Sequence, residues 1–184
     1  MLSAGRMTMV SNSELADSLD RLRTIALIES AAGALLLNEG THGELLRSIS
    51  GHDLSINAVH LPRSLVPGMY PFSWKQTIAL RAPGNPVFDI MQPWAGVVAL
   101  AAGDAMKRSD IVGTSLSEFT RHTRNAVAHD WHFDIRHMNG PAEFDGLQIE
   151  RSMDGKPLME YVAVGDLFAL VDAVIAALRA TRRA

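Results

Sequence analysis

Residues 120–132, TRHTRNAVAHDWH, contain two arginines and three of the seven histidines of the chain. Asp130 is the one acidic residue among them. Histidine takes and gives protons near neutral pH, and the guanidinium of arginine binds phosphate through two parallel hydrogen bonds. Cleavage of RNA without a metal ion needs both: a 2′-hydroxyl loses a proton or a leaving 5′-oxygen gains one, while the phosphate gains negative charge.

A helix must position these side chains, and Ser115-x-x-Glu118 is a capping box that predicts its start. At about 100° per residue, one face is expected to be core, and it carries Leu116, Phe119, Thr123, Ala126 and Val127. Arg121, Asn125 and His129 lie on the opposite side, with His122 at its edge. The apolar residues between Asn125 and His129 are thus core contacts and small spacers.

Arg124 and His129 are five residues apart, which on a helix is a rotation of about 140° and a rise of about 7.5 Å. Within one straight helix the two side chains do not meet easily. They converge if the helix ends at His129, or if a second copy of the helix lies alongside across a two-fold axis.

The stretch RNAVAH, residues 124–129, resembles the signature of the HEPN superfamily, the higher eukaryotes and prokaryotes nucleotide-binding domain. That signature is an arginine, commonly followed by a polar residue such as asparagine, and then a histidine. The resemblance implies a bundle of about four helices, often dimeric, with the motif lining a cleft between protomers. It also implies a metal-independent endoribonuclease, in bacteria often a toxin or defence protein with an antitoxin-like partner, or a non-catalytic module that binds RNA, nucleotide or protein.

On this interpretation Arg124 binds the phosphate, His129 is the acid or base, and Asn125 orients the histidine or a phosphate oxygen. Asn125 suits this role because it lies one helical turn before His129. Arg121, His122 and His132 are further candidates for substrate contact, and Trp131 for stacking on a base. No cofactor is expected.

Two other interpretations of the same residues stay open. Arg124 and Asn125 could form an ordinary solvated face, with His129 at the negative end of the helix dipole, in a helical interaction protein that matches the motif by accident. A divalent metal site is the other alternative, formed by His129 and His132 with His122, His137 or Asp134. We favour no metal, because His129 and His132 straddle the predicted helix end.

Composition sets the broad class. The chain has 184 residues, 47% of them hydrophobic and 20% charged, which fits a single globular domain over residues 1–184. Its net charge of −3 means that nucleic acid would be bound by a local patch. Absence of cysteine excludes a disulfide framework, a thiolate zinc site and a cysteine nucleophile. With no apolar leader in residues 1–14 and no membrane-length apolar run, we expect a cytoplasmic protein.

The remaining pattern predicts a mainly helical bundle. A first helix opens at the capping box Ser11-x-x-Glu14 and stops near Gly40, and a short helix covers about 43–49. Residues 60–93 are rich in proline, which predicts an irregular segment. A second long helix runs from Pro93 to about Lys107, and its alanines and glycines favour close packing against a neighbouring helix.

A small β insert, at about 131–164, is predicted before the last helix. Three runs resemble strands, 132–138, 147–152 and 158–164, with Asn139-Gly140 and Asp154-Gly155 as turns between them. We expect an antiparallel meander of two or three strands. A terminal helix begins at Gly165-Asp166, with apolar residues on one stripe and arginines at its end.

Overall fold

The computed structural model describes residues 10–37, 59–62, 69–72 and 86–181, with side chains placed for 10–31 and 91–181. Within these ranges the chain is mainly helical, with helices α1 (Asn12–Leu37), α2 (Pro86–Arg108), α3 (Ser115–Ala128) and α4 (Val164–Ala180). A short antiparallel hairpin precedes α4, as the sequence predicts. The predicted stop at Gly40 and the short helix at 43–49 lie outside the described residues.

Two compact units are present, one formed by residues 10–27 and 91–181 and the other by the described part of 28–90. All candidate site residues belong to the first unit. The interpretation of the whole chain as a single domain stays a prediction. Among the described residues, no helix is both long and apolar enough to cross a membrane.

Helix α1 begins at the predicted capping box. The backbone N–H and hydroxyl of Ser11 both donate to Oε2 of Glu14 at 2.8 Å, and the N–H of Glu14 donates to Oγ of Ser11. Leu15, Leu19 and Ala26 are buried, so the predicted stripe does face the core, although Ile25 from the same stripe is half exposed. Arg179 of α4 pairs with Asp17 and Asp20 of α1, which aligns the first and last helices.

Helix α2 begins earlier than predicted, at Pro86, and Pro93 lies inside it. Proline at a first helical position loses no hydrogen bond, which explains the start at Pro86. Pro93 is exposed, and its missing N–H removes one hydrogen bond from the helix. The small residues of α2 are buried as expected, including Ala95, Ala99 and Ala102.

The proline-rich segment is not wholly irregular. Strand β1 (Val59–Pro62) pairs with β2 (Met69–Phe72) in an antiparallel register that places Val59 opposite Phe72 and Pro62 opposite Met69. Prolines stand at the end of β1 and within β2. A two-stranded ribbon has only edge strands, where a missing N–H can face solvent, and this is why the proline density did not prevent pairing.

Helix α3 is capped by Thr114 and Ser117, not by the predicted Ser115 and Glu118. Oγ1 of Thr114 accepts from the N–H of Ser117 at 3.1 Å, and Oγ of Ser117 accepts from the N–H of Thr114 at 3.0 Å. The carboxylate of Glu118 is thereby free for a different role, described below. The sequence allowed either register because both hydroxyl residues stand three positions before a hydrogen-bonding side chain.

The hairpin before α4 consists of β3 (Ala142–Phe144) and β4 (Leu147–Ile149), joined by Asp145-Gly146. Both turn residues have positive φ, 47° and 80°, which suits a tight hairpin turn. Residues 132–138 and 158–164 were predicted as strands, and that prediction is wrong. The first run forms one isolated bridge, His132 to Pro157, and the second opens with a 3-10 turn, Leu158–Glu160.

The turns were also partly mispredicted. Asn139 donates its N–H to Glu118 and does not join two strands. Asp154-Gly155 is a turn as expected, closed by a bond from the N–H of Lys156 to the carbonyl of Met153 at 2.9 Å. The alternation of apolar residues correctly predicted which side chains are buried. The backbone of 133–135 is bonded to residues 154–156 and that of 158–160 forms a 3-10 turn, so most of the segment is not strand.

Candidate functional site

Arg124 is seated on a glycine of the neighbouring helix. A Cβ added to Gly103 of α2 would lie 2.4 Å from Cγ and 2.5 Å from Cβ of Arg124, so only glycine leaves room for this side chain. Gly96, two turns earlier in α2, lies against Val127 and Trp131. Helices α2 and α3 are therefore antiparallel and in close contact along a line of small residues, as the composition of α2 predicts.

The guanidinium of Arg124 lies beside a carboxylate. Its Nη2 is 3.3 Å from Oδ1 of Asp104, and the two side chains are 39% and 52% exposed. A pair so exposed contributes at most about 1 kcal/mol to stability, because water and salt screen it. The pair holds Arg124 over α2 but does not bury its charge, so the guanidinium can still reach a phosphate.

An open groove of about 460 Å³ lies next to Arg124. It is bounded by the second half of α2, the loop before α3, one side of α3 and Asn139. Three cations line it, Lys107, Arg121 and Arg124, against two carboxylates, Asp104 and Glu118. Asn125 also lines it, so two of the three predicted catalytic residues share this groove.

His129 is the C-terminal cap of α3, with its backbone N–H donating to the carbonyls of Asn125 and Ala126 at 2.9 and 3.2 Å. Its imidazole is 52% exposed and does not line the groove. Asn125 contacts His129 through its backbone carbonyl, which accepts from the N–H of His129. Orientation of the imidazole by the Asn125 side chain stays a prediction.

Asp134 lies beside His129. Oδ2 of Asp134 is 3.1 Å from Nε2 of His129, and Oδ1 of the same carboxylate accepts from Nε of Arg136 at 3.1 Å. From the sequence, Asp134 was predicted only as a possible metal ligand. Its fixed position could have been predicted, because Asp134 lies between Phe133 and Ile135. These are two apolar residues of an alternating run, and their burial anchors the residue between them.

The segment that carries Asp134 is firmly anchored. Phe133 and Ile135 are both 2% exposed. The N–H of Phe133 donates to the carbonyl of Lys156 at 2.9 Å, its carbonyl accepts from Gly155 at 2.8 Å, and the N–H of Ile135 donates to Oδ1 of Asp154 at 2.7 Å. These bonds fix the backbone on both sides of Asp134.

The turn between His129 and Asp134 has an uncommon conformation. Asp130 and Trp131 are consecutive residues with positive φ, 55° and 63°. Such residues cost about 1–3 kcal/mol each unless their surroundings hold them in place. The indole of Trp131 packs against Gly96, and the carbonyl of Trp131 accepts from the N–H of Leu158 at 2.7 Å. These contacts of Trp131 hold the turn in its conformation. Stacking of its ring on a base stays a prediction.

Arg121 belongs to a polar cluster at the edge of the groove. Its Nη2 donates to Oε2 of Glu118 at 2.7 Å and to the carbonyl of His137 at 2.8 Å, and it lies 2.8 Å from Nε2 of His122. Glu118 is 8% exposed in its side chain and also accepts from Asn139. Arg121 is therefore committed to structural bonds, although its side chain still lines the groove.

The cluster shifts the pKa values of two of its members. Burial on its own raises the pKa of Glu118, but hydrogen bonds from Arg121 and Asn139 and the charge of Arg121 outweigh burial, so the pKa lies below its ordinary value. For His122, burial lowers the pKa, the charge of Arg121 lowers it further, and Glu118 opposes them in part. Glu118 is thus held ionised and His122 neutral.

Burial corrects the role expected for His122. The ring is 1% exposed, because α3 is buried over a wider arc than predicted, with Ser117, Glu118 and Thr120 also inside. Nε2 lies 2.8 Å from Nη2 of Arg121, whereas Nδ1 is buried without a hydrogen-bond partner. His122 therefore packs within the protein and does not reach a substrate in this conformation. His132 is exposed, with Nδ1 2.7 Å from the carbonyl of Asp130.

The structure thus brings Arg124 and Asn125 together in a groove with Arg121, and places His129, Trp131 and His132 at the helix end. Among the described residues, no group of three or more histidine, cysteine, aspartate or glutamate side chains is arranged to hold a metal ion. Comparison of the chain with protein-family models, with curated proteins and with solved structures gave no match.

Proposed function

We propose that the protein is a metal-independent endoribonuclease of HEPN type, acting as a homodimer, in the manner of a toxin or a defence nuclease with an antitoxin-like partner. The observation that carries the proposal is that α3 delivers Arg124 and Asn125 to an open groove and ends at the exposed imidazole of His129. Arginine and histidine are the groups that the cleavage of a phosphodiester without metal requires.

The reaction follows from the roles of these groups. The 2′-oxygen of RNA attacks phosphorus, the bond from phosphorus to the 5′-oxygen breaks, and the products are a 2′,3′-cyclic phosphate and a 5′-hydroxyl. His129 takes the proton from the 2′-hydroxyl, and the leaving 5′-oxygen takes a proton from water. Arg124 leaves Asp104 for the phosphate, whose equatorial oxygens gain charge in the transition state.

A second protomer is part of this proposal because His129 lies outside the groove that Arg124 and Asn125 line. Two copies of α3 related by a two-fold axis can present His129 of one chain beside Arg124 of the other. The homodimer and the RNA substrate rest on this reasoning and on the resemblance of residues 124–129 to the HEPN signature.

The test is cleavage of RNA in EDTA by the wild type, by Arg124→Ala and by His129→Ala, with His137→Ala as a matched histidine control. His137 is exposed, and its carbonyl rather than its ring accepts from Arg121. We expect cleavage by the wild type and the control, and losses of about 10²-fold or more in the two site variants.

Mixing the two inactive variants tests the shared site. If protomers exchange freely, half of the dimers are mixed, and each mixed dimer holds one complete site out of two. Activity should then return to about a quarter of the wild-type value. No recovery in dimers that demonstrably exchange would contradict a site built from both chains.

A second candidate function is a non-catalytic module that binds RNA, nucleotide or a protein through the same groove. The pairing of Arg124 with Asp104, together with the position of His129 outside the groove, favours it. It predicts binding of RNA without turnover, lost in Arg124→Ala and retained in His129→Ala.

A further inference from the structure

The contact between His129 and Asp134 assigns different tasks to the two nitrogens of the imidazole. We propose that Asp134 is a positioning residue for His129, which holds the ring proton on Nε2 and leaves Nδ1 as the nitrogen that exchanges a proton with the substrate. This inference rests on the proposed function for its chemistry, but the ring tautomer that it specifies exists with or without substrate.

The distance is the first support. Oδ2 of Asp134 lies 3.1 Å from Nε2 of His129. A carboxylate so close to one ring nitrogen favours the tautomer with the proton on that nitrogen, since the opposite tautomer would place two lone pairs against each other. Nδ1 then has its lone pair available in the neutral ring, which is what a general base requires.

The second support is that both partners are held in place. His129 caps α3 through its backbone, and the left-handed turn at Asp130 and Trp131 follows it. Asp134 stands between the buried anchors Phe133 and Ile135. Nε of Arg136 donates to the other oxygen of the Asp134 carboxylate at 3.1 Å. The pair is therefore assembled before any substrate arrives, which lowers the cost of orienting the ring during reaction.

The charges around the ring agree with this assignment. When Nδ1 takes the proton of the 2′-hydroxyl, the imidazole becomes a cation and forms an ion pair with Asp134 across Nε2. The proton stays on the imidazole, so no second proton transfer is needed. Arg136 neutralises part of the charge of Asp134, and its guanidinium is mostly exposed, which leaves its influence weakened by water.

The test uses protein with ¹⁵N in its histidine rings, as the full chain, with His129→Ala to assign the signals. At pH 8, above the usual titration range of histidine, ¹⁵N shifts distinguish the two tautomers. Because a free neutral imidazole already favours Nε2–H, we expect the wild type to show almost only this form at His129, and Asp134→Ala to show a larger fraction of Nδ1–H. Asp134→Asn keeps the shape of the side chain while removing its charge, and should also raise the fraction of Nδ1–H.

The kinetic arm measures kcat and KM for cleavage of a short RNA in EDTA. Asp134→Ala and Asp134→Asn should lower kcat by about 10- to 100-fold, a part of the usual contribution of acid–base catalysis, with KM changed less than about twofold. Asp145→Asn is the matched control, because it removes a carboxylate from an exposed turn where asparagine adopts positive φ readily. It should leave kcat and the tautomer unchanged.

The outcomes separate the two proposals. A wild type with the Nδ1–H form, or a tautomer that Asp134→Ala and Asp134→Asn both leave unchanged, overturns the role of Asp134 whether or not RNA is cleaved. Cleavage with unaltered kcat in both variants overturns it as well. Absence of cleavage by the wild type, together with the Nε2–H form and a larger fraction of Nδ1–H in the variants, supports the positioning by Asp134 and contradicts the nuclease proposal alone.

Discussion

Gly103 of α2 and Arg124 of α3 are in such close contact that a Cβ on the glycine would lie 2.4 Å from Cγ of the arginine. The stem of Arg124 fills the space that the missing side chain leaves, and the guanidinium then reaches Asp104, the next residue of α2. The placement of the proposed phosphate-binding group thus depends on a glycine twenty-one positions earlier in the chain.

Gly103→Ala is expected to destabilise the protein and weaken binding of RNA. The added methyl group meets the rigid part of the Arg124 side chain, so the helices must separate or Arg124 must change rotamer, at a cost of about 1–3 kcal/mol. The better helix propensity of alanine offsets about 1 kcal/mol of that. Unfolding in urea and RNA binding by titration measure the two effects.

Gly165→Ala is the matched control for that variant. Gly165 lies in the first turn of α4, and a Cβ there meets nothing within 4 Å. Alanine should leave stability equal to the wild type or raise it by up to about 1 kcal/mol. Equal stability and equal RNA binding in the Gly103→Ala and Gly165→Ala variants would contradict a structural role of the Gly103 contact.

Asp104→Asn should release Arg124 from its ion pair. The pair is exposed, so the free energy of unfolding should change by less than about 1 kcal/mol. RNA binding should become about two- to fivefold tighter at low salt, because a negative charge next to the phosphate-binding group has been removed. Glu143→Gln is the control, because it removes an exposed carboxylate on β3. It should change RNA affinity less than Asp104→Asn does. Weaker binding in Asp104→Asn would show that Asp104 holds Arg124 in its binding position.

Glu118→Gln should lower the free energy of unfolding by about 1–3 kcal/mol, since the buried carboxylate accepts charge-assisted bonds from Arg121 and two bonds from Asn139. Asn139 and Arg121 both line the groove, so RNA affinity should fall as well. Chemical denaturation with Glu143→Gln as the reference tests this. A loss no greater than that of the exposed Glu143 would show that the cluster does not hold the groove.

Stability should fall as the pH drops below about 6.5, the ordinary value for histidine, because His122 has a lowered pKa in the folded state. The unfolded chain binds a proton at His122 that the folded chain resists, so stability rises with pH in this window and declines on acidification. One group contributes at most about 1.4 kcal/mol per pH unit.

His122→Gln isolates this contribution. Its amide oxygen can face the guanidinium of Arg121, which lies 2.8 Å from Nε2 of His122, but the side chain does not titrate. Between pH 7 and pH 5 the variant should lose less stability than the wild type in urea unfolding. Glu118, whose pKa is also lowered, contributes stability that is lost as the pH falls below 4.5, outside this window. Parallel curves for variant and wild type would contradict the assignment to His122.

Most of the helices could be predicted from the sequence, but fewer of their first and last residues could. Helix α1 begins at the predicted capping box Ser11-x-x-Glu14. The capping box of α3 is formed by Thr114 and Ser117, one position before the predicted Ser115-x-x-Glu118. Several side chains near the start of α3 can cap it, so the sequence does not fix the first residue of the helix. Glu118 does not cap the helix, because it accepts hydrogen bonds from Arg121 and Asn139.

Local pattern was misleading where long-range contacts determine the backbone. Phe133 and Ile135 are buried in alternation, as in a strand, yet their hydrogen bonds go to a turn at residues 154–156 rather than to a strand. The burial of His122 was missed for a related reason. The β3–β4 hairpin packs against α3, so more of that helix is covered than its apolar residues alone suggest.

What the sequence determined by itself is the helical class and the candidate groups, because periodicity, capping residues and the order Arg124, Asn125, His129 are local properties of the chain. Only the tertiary structure decided which residues contact each of these groups. Gly103 and Asp104 place Arg124 at a groove, Asp134 lies against His129, and Glu118 and Arg121 surround His122. Gly103, Asp104 and Asp134 lie outside α3, so only the packing of the chain brings them to Arg124 and His129. Glu118 and Arg121 belong to α3 like His122, and their bonds to Asn139 and to the carbonyl of His137 hold them beside its ring.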